Sequence, residues 1–224
     1  MEFFCGTGFK RPVRLCEKTR RFADESLRGK YGEEALKTPF VCVDDIPGFD
    51  DMVDYDRYTY CIDKIVRECP VRLIDGERVI GAATLGAAIS HVVPAMHNRS
   101  YVFSSVSHVT LGFDRVLKIG IQGIEQELFR YGDRPYNEYL HRVIHHLRIW
   151  HSRYLAASAE KNPECHNLLL RVPFQPARTF HEAVQSLWFC FAFTRLCGNW
   201  SGIGRIDEML GPYLKRPRRR HDHP

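Results

Sequence analysis

The sequence predicts a mostly α-helical chain with few and short strands. Apolar side chains recur three and four residues apart over long segments, which is the spacing of one helix face. The clearest of these segments begins after Pro176 with a helix-start signal and stays apolar for several turns. Hydrophobic residues make up 44% of the 224 residues and charged residues 26%. This balance is typical of a globular protein long enough to bury a core.

Two helices are predicted before residue 81. Residues 1–40 have sparse apolar anchors among many charges and indicate a charged helix, and residues 55–68 show helical spacing up to Cys69. An acidic loop at residues 43–51 separates them. Residues 71–80 alternate apolar and polar side chains and predict a short hairpin.

Two longer helices are predicted in the middle of the chain, at residues 114–130 and 136–159. Gly120 and Gly123 each cost the first of them about 1 kcal/mol relative to alanine, so these glycines indicate close packing against a neighbour. Upstream, residues 81–88 are small and let another backbone approach. They lack the Gly-Lys-Ser/Thr of a phosphate-binding loop, so no nucleotide site is predicted there.

Residues 176–214 predict a buried helix, a glycine-rich turn and the start of a second helix. Thr179 stands three residues before Glu182, which fits a capping box. A turn beginning at Gly198 ends the helix and leads into residues 205–213. The helix is apolar on several sides, so it must be buried in a large body of protein. Its apolar positions are Phe180, Ala183, Val184, Leu187, Trp188, Phe189, Phe191 and Phe193.

Three segments carry a family resemblance. HEAVQSLWF followed by GNWSGIGRIDEMLGPYL lies within residues 181–214, SHVTLGFDRVLKIGIQGIEQEL occupies residues 107–128, and the more divergent GERVIGAATLGAAISHVVPA occupies residues 76–95. In this order they resemble the pyruvate formate-lyase domain of the glycyl radical enzymes. Each motif alone is loose, but their order and spacing make the resemblance specific. It covers roughly residues 72–214.

The resemblance implies a fold and a chemistry. The whole enzyme would be a ten-stranded α/β barrel, and this chain would be its N-terminal portion, with mostly outer helices and one wall of the pocket. The reaction class would be carbon–carbon or carbon–heteroatom cleavage of a small polar metabolite under anaerobic conditions. The implied partners are a second copy in a homodimer and a radical-activating enzyme that uses an iron–sulfur cluster and S-adenosylmethionine. No site for that cofactor is expected in this chain.

The radical strings of that family do not occur in these residues. The resemblance requires a radical glycine in a string like R-V-S/A-G-Y/F and a thiyl cysteine in a string like G-C-x-E or a Cys-Cys pair, and neither is present. We therefore expect a fragment with no catalytic residue of its own that is inactive alone. The alternatives are a truncated, non-catalytic protein that pairs with a full-length relative, and a nucleic-acid binder that acts through a basic tail.

His108 and Ser100 are the candidate substrate-pocket residues. His108 follows a serine-rich loop ahead of a helix, where functional side chains are often displayed. A neutral imidazole there could hold a substrate hydroxyl or move its proton. The resemblance implies that the position matching His108 faces substrate in dehydratase-like branches of the family, and that Ser100 matches another pocket position. The alternative for His108 is a hydrogen-bonded core histidine.

Other polar residues are interpreted as structural. Arg205 and Asp207 predict an ion pair beside the glycine turn, and Cys190 and Cys197 are expected as small core residues. The eight cysteines contain no C-x-x-C pair. Four histidines lack a third ligand and a glutamate at metal-site spacing, so no metal site is predicted and exposed surface histidines are expected. They are His141, His145, His146 and His151.

The chain is divided at residue 214. Residues 1–214 are expected to form the partial pyruvate formate-lyase-like domain, and residues 215–224 a basic disordered tail that carries most of the net charge of +5. Disorder is favoured over nucleic-acid binding for this tail. No apolar run reaches the about 18 residues of a membrane span, and the N-terminus has no signal-peptide pattern. A cytoplasmic protein is expected.

Overall fold

The described part of the chain is mostly helical, as predicted. The computed structural model describes residues 16–28, 30, 43–81, 96–97, 100–101, 109–132, 134–196 and 201–214. The α-helices in these ranges are α1 Glu17–Leu27, α2 Asp54–Glu68, α3 Phe113–Arg130, α4 Pro135–Lys161, α5 Pro163–Leu169, α6 Phe180–Leu196 and α7 Ile206–Leu210. Two 3-10 turns, Phe49–Asp51 and Gly211–Tyr213, and one antiparallel pair, β1 Met96–His97 and β2 Ser100–Tyr101, accompany them.

The helix boundaries follow local sequence signals. α4 begins at Pro135, where a missing N–H costs nothing because the first turn has no partner for it. At the other end the Asn162 side chain accepts from the Cys165 N–H at 3.1 Å and starts α5. Within the described ranges, no helix combines the length and apolarity that a membrane crossing requires. Residues 215–224 lie outside these ranges, so the boundary at residue 214 stays a prediction.

Residues 71–81 do not form the predicted hairpin. The turn is present, with Gly76 at φ 79°, but the described residues 71–81 contain no strand. The Gln185 side chain of α6 instead accepts from the Ile80 N–H at 2.8 Å and donates to the Ile80 carbonyl at 3.0 Å. A side chain thus satisfies the backbone groups that a strand partner would have satisfied.

The core is centred on aromatic side chains between α4 and α6. Trp150 and Tyr154 of α4 have ring centroids 4.5 and 5.7 Å from that of Phe189 in α6. Phe193 lies 5.7 Å from Trp150. Trp150, Tyr154 and Phe189 are at most 1% exposed, and burying such side chains stabilises the fold by roughly 1.5–3 kcal/mol each.

The most buried face of α6 is not the apolar face that helical spacing marks most clearly in the sequence. Phe180 is 39% exposed, and Trp188 and Phe191 are half-buried, whereas Phe189 and Phe193 are covered. A helix that is apolar on several sides has no single stripe, so its spacing does not select the core side. The prediction that Cys190 is a core residue is confirmed, whereas Cys197 lies outside the described residues and stays a prediction.

The Thr179 cap at the start of α6 is confirmed, but the Glu182 side chain bonds the N–H of the residue before Thr179, not that of Thr179 as in a regular capping box. The Glu182 N–H donates to Thr179 Oγ1 at 3.1 Å, and Glu182 Oε2 accepts from the Arg178 N–H at 2.6 Å. Glu182 is 6% exposed and also pairs with the Arg178 guanidinium at 2.9 Å. The interpretation of Glu182 as a cap therefore holds, and the charge is compensated although the residue is buried.

α3 consists of two half-helices joined at Gly120, so the continuous helix predicted for residues 114–130 is wrong at this residue. Gly120 has φ 69° and ψ 168°. The N–H groups of Ile121 and Gln122 begin the second half and donate to the carbonyls of Pro173 and Phe174, at 2.9 and 3.0 Å. The loop after α5 therefore caps the second half-helix from outside the helix.

The same break frees acceptors at the end of the first half-helix. The Leu117 carbonyl accepts from the Ala177 N–H at 3.0 Å and from the Tyr213 hydroxyl at 3.1 Å. Both ends of the interruption are thus satisfied by residues distant in sequence.

Replacing Gly120 by alanine is expected to lower the free energy of unfolding by about 3 kcal/mol or more. A Cβ at Gly120 would lie 2.3 Å from the Phe174 carbonyl oxygen, and the left-handed φ disfavours any side chain. Urea unfolding followed by circular dichroism measures this loss. Gly211→Ala is the control, because Gly211 has φ −50° and no atom within 4 Å of a Cβ. Equal losses in the two variants would contradict this role of Gly120.

Candidate functional site

The two pocket candidates are not described at the level of their side chains. His108 lies outside the described residues. Ser100 belongs to β2, where its backbone pairs with that of His97, but its side chain is not described. The pocket roles of His108 and Ser100 therefore stay predictions. The residues that directly follow His108 are described, and they belong to a defined contact.

Val109 and Thr110 pair with the glycine-rich turn that follows α6. The Val109 carbonyl accepts from the Gly202 N–H at 3.1 Å, and Thr110 forms a parallel bridge with Gly202. This contact is called the Val109–Gly202 junction below. Gly204, with φ 84°, lies against Thr110, since a Cβ there would be 2.6 Å from the Thr110 Cγ2. The close approach of the two segments therefore requires glycine.

Polar side chains contact one another before and after Gly202 in the glycine-rich turn. The hydroxyl oxygens of Thr194 and Ser201 are 3.1 Å apart, and Ser201 is 9% exposed. Arg205 donates to both carboxylate oxygens of Asp207, at 3.0 and 2.8 Å, which confirms the predicted ion pair. The hydrogen bonds from Arg205 lower the pKa of Asp207 to about 2. Both side chains are exposed, so the pair contributes little to stability.

The junction joins two segments that match one family. The family model described as pyruvate formate lyase-like matches residues 84–220, which include both sides of the junction. The chain belongs to the pyruvate formate lyase-like family. The resemblance to glycyl radical enzymes stated from the sequence is thereby confirmed.

Curated relatives of the chain are isethionate sulfite-lyases. The protein of Desulfovibrio desulfuricans is 30% identical over an alignment of 149 positions that covers 54% of this chain and 18% of that protein. The protein of Oleidesulfovibrio alaskensis is 27% identical over an alignment of 147 positions that covers 53% of this chain and 18% of that protein. The chain thus spans 18% of the length of the relatives it matches.

Two solved structures share the fold. One, from Roseburia inulinivorans, concerns 1,2-propanediol dehydration, with TM-score 0.62, 15% identity, and coverage of 91% of this chain and 35% of that chain. The other is the glycerol-bound B12-independent glycerol dehydratase of Clostridium butyricum, with TM-score 0.56, 15% identity, and coverage of 85% and 34%. The expected fold class, a mostly helical part of a larger barrel enzyme, is confirmed.

The described cysteines other than Cys16 are buried in helices or at their ends. Burial raises the pKa of Cys61, Cys69 and Cys190 to about 12 and that of Cys165 to about 11. A buried thiol with a raised pKa behaves as a small apolar side chain. None of these four fits a thiol presented to a substrate.

Two of the four histidines expected on the surface are buried, which corrects that prediction. His146 is 7% and His151 8% exposed, whereas His145 is exposed. His146 Nε2 lies 3.4 Å from an Asp63 oxygen, and burial lowers the pKa of His146 to about 4. His151 Nε2 donates to the Leu169 carbonyl at 2.8 Å, and burial lowers the pKa of His151 as well. The Leu169 carbonyl makes the burial of His151 tolerable, whereas His146 Nδ1 has no hydrogen-bond partner among the described residues; helical spacing reveals neither environment.

No metal centre is formed by the described residues. Groups of three or more His, Cys, Asp or Glu side chains with the spacing to hold an ion do not occur among them.

The unfolding free energy is expected to rise with pH between about pH 4 and pH 6.5 through His146, by up to about 3 kcal/mol. The pKa of His146 is about 4 in the folded chain, below its ordinary 6.5. The unfolded chain therefore binds more protons in this window, and stability is lost as pH falls. In His146→Gln the pH slope measured by urea unfolding should be smaller than in the wild type. His145→Gln, which changes an exposed neighbour, should keep the wild-type slope, and a wild-type slope in His146→Gln would refute the assignment.

Proposed function

We propose that the chain is part of a glycyl radical enzyme that cleaves a carbon–heteroatom bond in a small hydroxylated metabolite. The observation that carries the proposal is the family match over residues 84–220. Related proteins narrow the reaction class, since they are isethionate sulfite-lyases, a glycerol dehydratase and a structure that concerns 1,2-propanediol dehydration. Each of the three compounds carries a hydroxyl group beside the carbon that would lose sulfite or water.

In this proposal His108 and Ser100 contact the substrate. The Val109–Gly202 junction anchors the residue that directly follows His108, which supports a role for His108 at a defined place in the pocket. A neutral imidazole there would hold a substrate hydroxyl or transfer its proton. Ser100 would supply a second hydrogen bond to the polar substrate.

The radical centre belongs, in this proposal, to segments that these 224 residues do not include. The family strings for the radical glycine and the thiyl cysteine do not occur in the sequence, and four of the described cysteines are buried. An activating enzyme with S-adenosylmethionine and an iron–sulfur cluster would install the glycyl radical in the complete enzyme. The complete enzyme would be a cytoplasmic homodimer of anaerobic metabolism.

A non-catalytic chain that pairs with a longer relative is the second candidate. The observation that favours it is a group of exposed aromatic side chains at the ends of three helices, which a larger partner could cover. They are Tyr55 of α2, Phe129 and Tyr131 at the end of α3, and Tyr136 of α4, each at least 49% exposed.

The purified chain is expected to form no glycyl radical. Anaerobic incubation with a family activating enzyme, S-adenosylmethionine and reductant, followed by electron paramagnetic resonance, should show no glycyl doublet, since the radical string is absent. The isethionate sulfite-lyase of Desulfovibrio desulfuricans, treated in parallel, is the control for successful activation. A doublet from this chain would contradict the proposed location of the radical centre. A radical yield in the control that changes when this chain is added would favour the second candidate.

His108→Ala is expected to reduce turnover by about 10²-fold in a complete enzyme, because proton transfer by a positioned side chain contributes at least that much. The complete enzyme is a fusion in which residues 1–214 replace the corresponding part of the Desulfovibrio desulfuricans relative. Its activity is measured as sulfite release from isethionate. His145→Ala, which changes an exposed histidine of α4, should leave turnover unchanged. Unchanged kinetics in His108→Ala would assign His108 to a structural role.

A further inference from the structure

Glu77 is a buried carboxylate in the loop of residues 71–81. It is 7% exposed. Its Oε1 accepts from the Ile74 N–H at 3.2 Å, whereas its Oε2 is enclosed without a hydrogen-bond partner among the described residues. A buried carboxylate oxygen without a donor is costly when the group is ionised and much less so when it is protonated.

The backbone of Glu77 is attached where α4 meets α5. The Glu77 carbonyl accepts from Asn162 Nδ2 at 2.9 Å and from Cys165 Sγ at 3.8 Å. Asn162 is also the cap of α5, through its bond to the Cys165 N–H. The loop of residues 71–81 is thus hydrogen-bonded to Asn162, the residue that caps α5.

Side chains of α6 hold the rest of the loop. A ring nitrogen of His181 donates to the Arg78 carbonyl at 2.6 Å, and Gln185 binds both backbone groups of Ile80. A segment held by a few side-chain bonds, without a backbone ladder, opens at a lower free energy than the helices beneath it.

Charged neighbours do not neutralise the Glu77 carboxylate in the described structure. Burial dominates and raises the pKa of Glu77 to about 7, against a smaller lowering by the Ile74 N–H. The charged or titratable side chains in contact with this loop or its immediate supports include Lys18 beside Gly76, Arg153 of α4, which donates to the Cys69 carbonyl, Glu164 and Cys165 of α5, His181 of α6, and Arg72, Asp75 and Arg78 of the loop itself.

We propose that Glu77 is a pH-dependent latch that closes the loop of residues 71–81 onto α4, α5 and α6 when its carboxyl group is protonated and loosens the loop when it ionises. The closed loop binds the proton more tightly than the open loop, in which the carboxyl regains its ordinary pKa. The closed state is therefore favoured at low pH and loses stability as pH rises from about 4.5 to about 7. The loop directly precedes residue 84, where the family match begins.

Hydrogen exchange of the full chain tests the latch. Protection of amides in residues 71–81, corrected for intrinsic exchange rates, should fall on the order of tenfold between about pH 6 and about pH 8. Glu77→Gln keeps the shape but not the charge, and should remove this dependence. Asp75→Asn, which changes an exposed carboxylate of the same loop, should keep it. Amides in α4 and α6 should show no comparable change in any of the three proteins.

Either of two results would overturn the proposal: equal wild-type protection at both pH values, or the same loss of protection in Glu77→Gln. Should Glu77→Gln fail to fold, titration of the Glu77 carboxyl carbon by nuclear magnetic resonance in the wild type decides the matter. A midpoint near pH 7 is expected, and a midpoint near the ordinary value of about 4.5 would refute the latch.

Discussion

The interruption of α3 at Gly120 is the constraint on which the described fold depends. A helix that stops and restarts leaves carbonyls and N–H groups that must find partners elsewhere. Here the carbonyls of Pro173 and Phe174 cap the second half-helix, and the Leu117 carbonyl accepts from Ala177 and Tyr213. One break therefore ties the loop after α5 and the last described turn to the same helix.

This arrangement connects the core to the candidate site. Phe174, in the loop after α5, contacts two side chains of α4. The Arg148 guanidinium lies over the Phe174 ring at 4.7 Å, and the His151 ring packs edge-to-face against it at 5.0 Å. Tyr213 attaches the turn after α7 to the first half of α3. The Val109–Gly202 junction adjoins these anchored elements in the chain, because Val109 precedes α3 and Gly202 precedes α7. The turn after α7 and the loop after α5 are thus supported by hydrogen bonds that α3 would not offer as a continuous helix.

Buried polar residues account for positions at which the structure predicted from the apolar pattern was wrong. Gln185 is fully buried because it replaces a strand partner for Ile80. His151 is buried because its Nε2–H donates a hydrogen bond to the Leu169 carbonyl. Gln185 and His151 are polar residues with a structural role. A buried polar group whose hydrogen bonds are satisfied costs little free energy and specifies one arrangement of the chain.

Local signals in the sequence determined the helical class, the Thr179 cap of α6, the extent of α2 and α4, and the family, because each depends on residues close together in the chain or on strings that match directly. Tertiary structure alone decided the break at Gly120, the absence of strands in residues 71–81, the buried side of α6 and the burial of His146 and His151. Each of these depends on a partner distant in sequence: Phe174 for Gly120, Gln185 for Ile80, and Asp63 for His146. Helical spacing records which residues share a face, but it does not record which distant group will meet that face.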